Sequence, residues 1–274
     1  MKNCRRPVLL DLTLIGTLAL STLATQALAQ ESEADLAKKL SNPVAALISV
    51  PMQLNYDDKI GPAEGGKRWL LNIQPVVPVT LNADWNLISR TILPVVSQQD
   101  IYPGAGTQSG IGDIVQSVFF SPKAPTSGGW IWGAGPVFLL PTGTGDLLSA
   151  NKWGAGPTAV LLKQESGWTY GALANHIWSF AGDSARADIS TTFLQPFLSY
   201  TTPSAWTYAV NTESTYDWNN RQWTVPINLF VSKVTKIDNQ LISLGGGVRY
   251  WADGPASGPH GWGLRLVATL LFPK

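Results

Sequence analysis

The chain of 274 residues has one cysteine, two histidines and two methionines, and only 14% of its residues carry charge. With Cys4 as the sole thiol, neither a disulfide framework within the chain nor a cysteine-built zinc site is available. The 19 basic residues are balanced by 18 acidic ones, which argues against a nucleic-acid partner. Beyond the N-terminus no window of about 18 residues is continuously apolar, so no transmembrane helix is expected there. Helical periodicity is also scarce. It appears only over Glu33 to Leu40, with Ser32 and Asp35 at its start and Asn42-Pro43 to stop it. What the chain does have is 26 Gly, 19 Pro and 12 Trp, with 45% hydrophobic residues diluted to a mean hydropathy of only +0.06. That balance excludes both disorder and a polytopic helical membrane protein.

Lys2, Arg5 and Arg6 precede an apolar stretch from Val8 to Leu20, and Ala27-Leu28-Ala29 follows before Gln30. This is the layout of a secretory signal cleaved after residue 29. Cys4 would leave with it. The expected organisation is a signal peptide over 1–29, a periplasmic N-terminal segment over 30–45 and one β domain over 46–274.

The rest of the chain alternates. Trp262, Leu264, Leu266, Ala268, Leu270 and Phe272 form one wholly apolar face, interleaved with Gly263, Arg265, Val267, Thr269 and Leu271. A tilted strand of ten residues' rise spans roughly 25 Å of membrane. Trp206 to Trp218 and the stretch from Trp223 repeat the pattern. Read in this way, the chain offers twelve strand candidates: Leu47 to Tyr56, Lys67 to Leu81, Trp85 to Ser97, Ser109 to Ser121, Trp130 to Pro141, Trp153 to Lys163, Trp168 to Phe180, Ile189 to Thr201, Trp206 to Trp218, Gln222 to Lys236, Leu241 to Trp251 and Gly261 to Phe272. The connections after the first, third, fifth, seventh and eleventh are long and most others are tight, with Pro122 to Gly129 and Asn219 to Arg221 as exceptions. The predicted fold is all-β, a closed antiparallel transmembrane barrel of about twelve strands with a short N-terminal helix. Trp206, Trp218, Trp223, Trp262 and Phe272 at strand ends are the expected membrane girdle. A secreted β-sandwich is the competing class, but the polar faces are poor in Lys and Glu and tryptophan gathers at strand ends. Pro75, Pro78, Pro94, Pro157, Pro196 and Pro226 inside strand candidates have no explanation at this level beyond bulges or fraying.

The runs Leu87 to Pro94 (LISRTILP), Ser109 to Pro122 (SGIGDIVQSVFFSP), Gly133 to Pro141 (GAGPVFLLP) and the ending Leu270 to Lys274 (LLFPK) resemble bacterial outer-membrane proteins labelled as transporters or as the MetA-pathway of phenol degradation family. The resemblance covers nearly all of the chain after the signal. It implies a barrel in the outer membrane passing small compounds, aromatic ones among them, and it brings no catalytic motif. The family-like ending departs from the usual barrel signature, since Pro273 and Lys274 follow Phe272. The implied partners are outer-membrane lipid and lipopolysaccharide, the barrel-assembly machinery and a small-molecule solute, with no cofactor.

Directing the polar faces inward puts Arg68, Arg90, Arg249 and Arg265 in the lumen with Asp113, Glu213 and Asp217. In a closed twelve-strand barrel the four arginines share one side, and Arg90 is expected to face Glu213 across a constriction whose field sets selectivity. The alternative is that these groups pair and fill a closed, non-transporting interior. An outer-membrane lipid hydrolase is the competing enzymatic reading. Of the two histidines, His176 has its nearest serine, Ser179, on the opposite strand face, and His260 lies in a loop, so no enzyme is expected. Gly104-Ala105-Gly106 and Thr142-Gly143-Thr144-Gly145 read as flexible turns, Gly245-Gly246-Gly247 as a bend or bulge, and Asp57-Asp58 as an acidic loop tip. No metal site is expected.

Overall fold

A computed structural model describes residues 32–273. The expected signal peptide and Lys274 lie outside the described residues. One helix, α1 (Glu33–Leu40), is followed by β1 (Ile48–Ile60), β2 (Gly66–Ile73), β3 (Val76–Thr80), β4 (Trp85–Gln99), β5 (Thr107–Ile111), β6 (Ile114–Pro122), β7 (Trp130–Leu140), β8 (Lys152–Glu165), β9 (Trp168–Gly182), β10 (Ser190–Thr201), β11 (Trp206–Thr212), β12 (Ser214–Asp217), β13 (Gln222–Ile237), β14 (Gln240–Asp253) and β15 (Gly261–Phe272). Every pairing is antiparallel. The pairs β2/β3, β5/β6 and β11/β12 are each one interrupted barrel strand, so the wall has twelve strands, as the sequence predicts. The ring closes where the first strand meets the last, from Ile48↔Phe272 to Tyr56↔Leu264. Closure removes both sheet edges, which lipid could not satisfy.

Alternation sorts the faces. On β15, Trp262, Leu264 and Leu266 are 63%, 57% and 59% exposed, whereas Arg265 and Leu271 of the alternate series are 2% and 1%. Trp206, Trp218, Trp223 and Phe272, expected as girdle residues, are likewise exposed. Trp262 packs against Tyr250 at 4.9 Å between ring centroids, and Lys233 Nζ lies over Trp206 at 5.4 Å.

The interruptions explain several prolines. Pro75 falls between β2 and β3, and Pro94 lies opposite the β5/β6 break, where its carbonyl accepts from Gly112 N. Pro226 marks a register shift against β14 and, by the flanking pairs Thr212↔Ile227 and Thr215↔Thr224, sits opposite Glu213. A missing N–H at that point breaks the ladder between β11 and β12. The triple glycine is a correction. Gly245, Gly246 and Gly247 pair with Ser232, Val231 and Phe230 without a shift, so there is no bulge. They serve close approach instead, since a Cβ on Gly247 would lie 2.1 Å from Leu229 O.

At the end of the barrel nearest the N-terminus, the turns at 166–167 and 238–239 are tight. Ser166 (φ 49°) and Gly167 (φ 84°) both adopt the left-handed conformation of a two-residue hairpin. The connection 123–129 is the long exception there, and 218–221 the short exception at the far end. Residues 61–65 form a shorter loop than expected because β1 continues to Ile60.

Helix α1 starts as expected, with Ser32 Oγ accepting from Asp35 N at 3.1 Å. It packs Leu36 and Ala37 against Leu47, Ala205, Val234, Leu241 and Leu271. Val44, a few residues on, packs against Ile88, Phe119, Val160, Leu162 and Leu173 on other strands. The segment 33–47 therefore lies across the N-terminal mouth, pinned also by Gln164 Nε2 donating to Lys38 O at 2.8 Å. A Leu266→Arg substitution, on the outer face in mid-strand, is expected to cost about 2–4 kcal/mol of stability in lipid vesicles. Urea unfolding followed by tryptophan fluorescence checks this, with the inward Val267→Thr costing less.

Candidate functional site

Barrel closure builds a polar layer inside the wall. Asn55 and Asp57 point inward from β1, Arg265 from the neighbouring β15, and Arg249 from β14. Asp57 is fully buried, and Arg249 and Arg265 are 4% and 2% exposed. Gly263 stands between these strands, and a Cβ there would lie 2.9 Å from Asp57 Oδ1, so its missing side chain makes room for the carboxylate.

Two carboxylates organise the guanidiniums. Glu213 Oε1 accepts from Arg265 Nη1 at 2.9 Å, and Glu213 Oε2 accepts from Arg265 Nη2 at 2.7 Å and Arg249 Nη2 at 3.0 Å. Asp57 accepts from Arg68 at 3.3 Å, Arg249 Nη1 at 3.4 Å and Trp251 Nε1 at 2.9 Å. The fork on Glu213 is the bidentate geometry that makes arginine and carboxylate a strong pair. Side-chain amides take two further donors: Arg265 Nε donates to Asn55 Oδ1 at 2.8 Å and Arg249 Nε to Asn228 Oδ1 at 2.9 Å, whereas the buried Arg68 Nε has no hydrogen-bond partner among the described residues. Asn228 Nδ2 in turn donates to Asn211 Oδ1 at 2.8 Å. Arg90, on β4, donates to Gln74 Oε1 at 2.9 Å.

Of the residues singled out in the sequence, Arg68, Arg249, Arg265 and Glu213 thus meet in one network, with Arg90 beside it. Arg249 and Arg265 reach across to Glu213 directly. The expected Arg90 to Glu213 contact is not a salt bridge among the described residues. Asp113 and Asp217 lie elsewhere. Asp113, at the β5/β6 break, accepts from Gly143 N at 3.0 Å, Ser149 Oγ at 2.6 Å and Ala150 N at 2.7 Å, and so ties down the connection 141–151. That connection is therefore an ordered element, not the flexible turn expected of its Thr-Gly repeats. It folds inward: Thr144 Oγ1 and Leu148 crowd the place where a Gly110 side chain would point. Asp217 caps its own hairpin, accepting from Asn219 N, Asn220 N and Asn220 Nδ2.

The residue missed by the sequence reading is Asp57. Its reading with Asp58 as an acidic loop tip is corrected, since it is the buried acceptor for two arginines. Its signal was present, because the inward series Gln53, Asn55 and Asp57 continues the strand's alternation past Tyr56.

Below the network, towards α1, lies a chamber of about 260 Å³ lined by Arg90, Gln74, Gln195, Ser199, Glu213, Arg265 and several apolar side chains. On the outer face, His176 Nδ1 lies 2.8 Å from Thr192 Oγ1, and Nε2 lies 3.5 Å from Ser190 Oγ of the adjacent strand. Thr192 Oγ1 also accepts from Trp218 Nε1 at 2.8 Å. The imidazole is thus held by a hydroxyl, not by the carboxylate of a hydrolytic triad.

The "Putative MetA-pathway of phenol degradation" family model matches residues 68–254, more than half of the chain. The chain belongs to this family. No curated protein matches it in sequence. Among solved structures, an outer membrane channel from Pseudomonas putida F1 is 16% identical with a TM-score of 0.64, the match covering 83% of this chain and 96% of that one. The NanC porin is 11% identical with a TM-score of 0.50, over 82% of this chain and all of that one. At these identities the likeness concerns the fold, which is that of an outer-membrane β-barrel.

Removing the Glu213 charge leaves two buried guanidiniums short of a partner. Glu213→Gln is expected to destabilise the barrel by about 3 kcal/mol, the low end for a broken buried pair because Glu213 keeps some water contact. Adding Arg265→Met should recover part of that loss, as a double-mutant cycle in urea would measure. At the far end, the hydrogen bond and charge of Lys152, helped by Ser179, hold the Asp188 carboxyl below the usual carboxylate range. This contact contributes above the carboxyl's unfolded value and is lost as pH falls through its folded one. Hydrogen exchange in 183–189 should therefore quicken on acidification in the wild type and be pH-insensitive in Asp188→Asn, apart from the intrinsic rate.

Proposed function

We propose that the chain is an outer-membrane channel for passive passage of small solutes, exported by its N-terminal signal and set with α1 and the tight turns towards the periplasm. The observation that carries this reading is the chamber left open beside the charged layer, where a purely structural barrel would be filled by side chains. Inward arginines and carboxylates at a narrow point are the means by which pores sort ions. The family's name supports a small aromatic solute among the candidates.

Both mouths hold segments of the chain itself, 33–47 at one and 141–151 at the other. That favours a narrow, low-conductance path. Refolded in detergent and added to a planar bilayer, the protein should give small, discrete, ohmic steps. Asp113→Ala, which unties 141–151, should enlarge them severalfold. A barrel that shows heat-modifiable gel mobility yet gives no steps, even with Asp113→Ala, would favour the structural role.

A further inference from the structure

The charges inside the barrel do not balance. Arg68, Arg90, Arg249 and Arg265 face only Asp57 and Glu213 in the layer they share, which leaves that layer a net charge of +2. Both oxygens of Glu213 are already occupied by Arg249 and Arg265. No described carboxylate lies within 4.0 Å of Arg90. An uncompensated guanidinium at this depth is costly unless water or an anion meets it. Arg90 opens onto the 260 Å³ chamber, and so does Ser199, whose buried Oγ has no hydrogen-bond partner among the described residues. The remaining chamber wall mixes apolar side chains, Phe197, Phe230 and Val267 among them, with hydroxyl and amide side chains and Lys39.

We propose that this chamber binds a small organic acid, with its carboxylate on the Arg90 guanidinium and its apolar body against Phe197, Phe230 and Val267. The proposal deepens the channel reading and rests on it, since the acid must reach the chamber from water along the lumen. Charge selects the class, because the one acidic side chain lining the chamber, Glu213, is already held by Arg249 and Arg265, while Arg90 and the Ser199 hydroxyl face the same space. The apolar part of the wall selects among anions, favouring an acid with a hydrocarbon body over inorganic phosphate. Size sets the limit: a cavity of about 150 Å³ accommodates benzene, so 260 Å³ has room for a single-ring acid.

The probe is 4-fluorobenzoate, followed by fluorine NMR on the protein refolded in detergent micelles. Saturable binding is expected, displaced by benzoate but not by benzyl alcohol or phosphate. Arg90→Gln should weaken it at least tenfold, the usual loss for a charge-assisted hydrogen bond, and Arg90→Lys should lose less. Arg90 makes no ion pair among the described residues whose loss would unfold the barrel, and unchanged heat-modifiable mobility of both variants controls for this. Binding shared equally by benzyl alcohol or phosphate, or untouched by Arg90→Gln, overturns the proposal. Bilayer measurements separate it from the reading beneath it. Steps without anion preference, together with no fluorobenzoate binding, remove the acid site and leave the channel. Arg90-dependent binding without any conductance removes the channel and leaves the site.

Discussion

Everything in this molecule depends on the hydrogen-bonded seam between β1 and β15. In a bilayer an open sheet edge would leave a row of backbone donors and acceptors with no water to take them, so the wall must close on itself. Closure does more than satisfy the backbone. It brings Asn55 and Asp57, near the start of the chain, beside Arg265 and Arg249 near its end, and the network inside the barrel spans this seam. The strands that complete the barrel therefore also complete its interior site.

The wall is adapted to that interior at particular points. Gly263 leaves space for the Asp57 carboxylate between two strands. Pro226 interrupts the ladder opposite Glu213, so the carboxylate that receives two arginines comes from a break between β11 and β12. Asp113 uses a second break to gather the connection 141–151 by its backbone and Ser149. Irregularities that look like faults in a strand pattern are thus where side chains turn to interior tasks.

Two opposing demands meet in the lumen. Guanidiniums remote from bulk water require partners, and most find carboxylates or amides. A fully paired interior, however, has no preference to offer a solute. The surplus of two positive charges, beside a chamber bounded by α1, leaves electrostatic attraction that the chain itself does not consume. The helix is held in the mouth by apolar contacts and by Gln164, and its Ala37 and Leu40 form part of the chamber wall.

The sequence alone determined the class of fold, the number of strands, the outward direction of the aromatic side chains at strand ends and the inward direction of the arginines. These follow from a side-chain period of two, a local property that any strand must obey. The Ser32 cap and the short helix were legible for the same reason, since capping acts over three residues. The tertiary structure alone decided who pairs with whom. Arg265 reaches Glu213 and Arg90 does not, because contacts across a lumen depend on register and closure summed over the whole ring. Asp57 changed from a loop tip to a buried acceptor through four more residues of strand, and a strand's end is set by its neighbours. Asp113 and Asp217 bear the same charge as Glu213 but serve backbone, because a break and a hairpin offered them N–H groups nearer than any guanidinium.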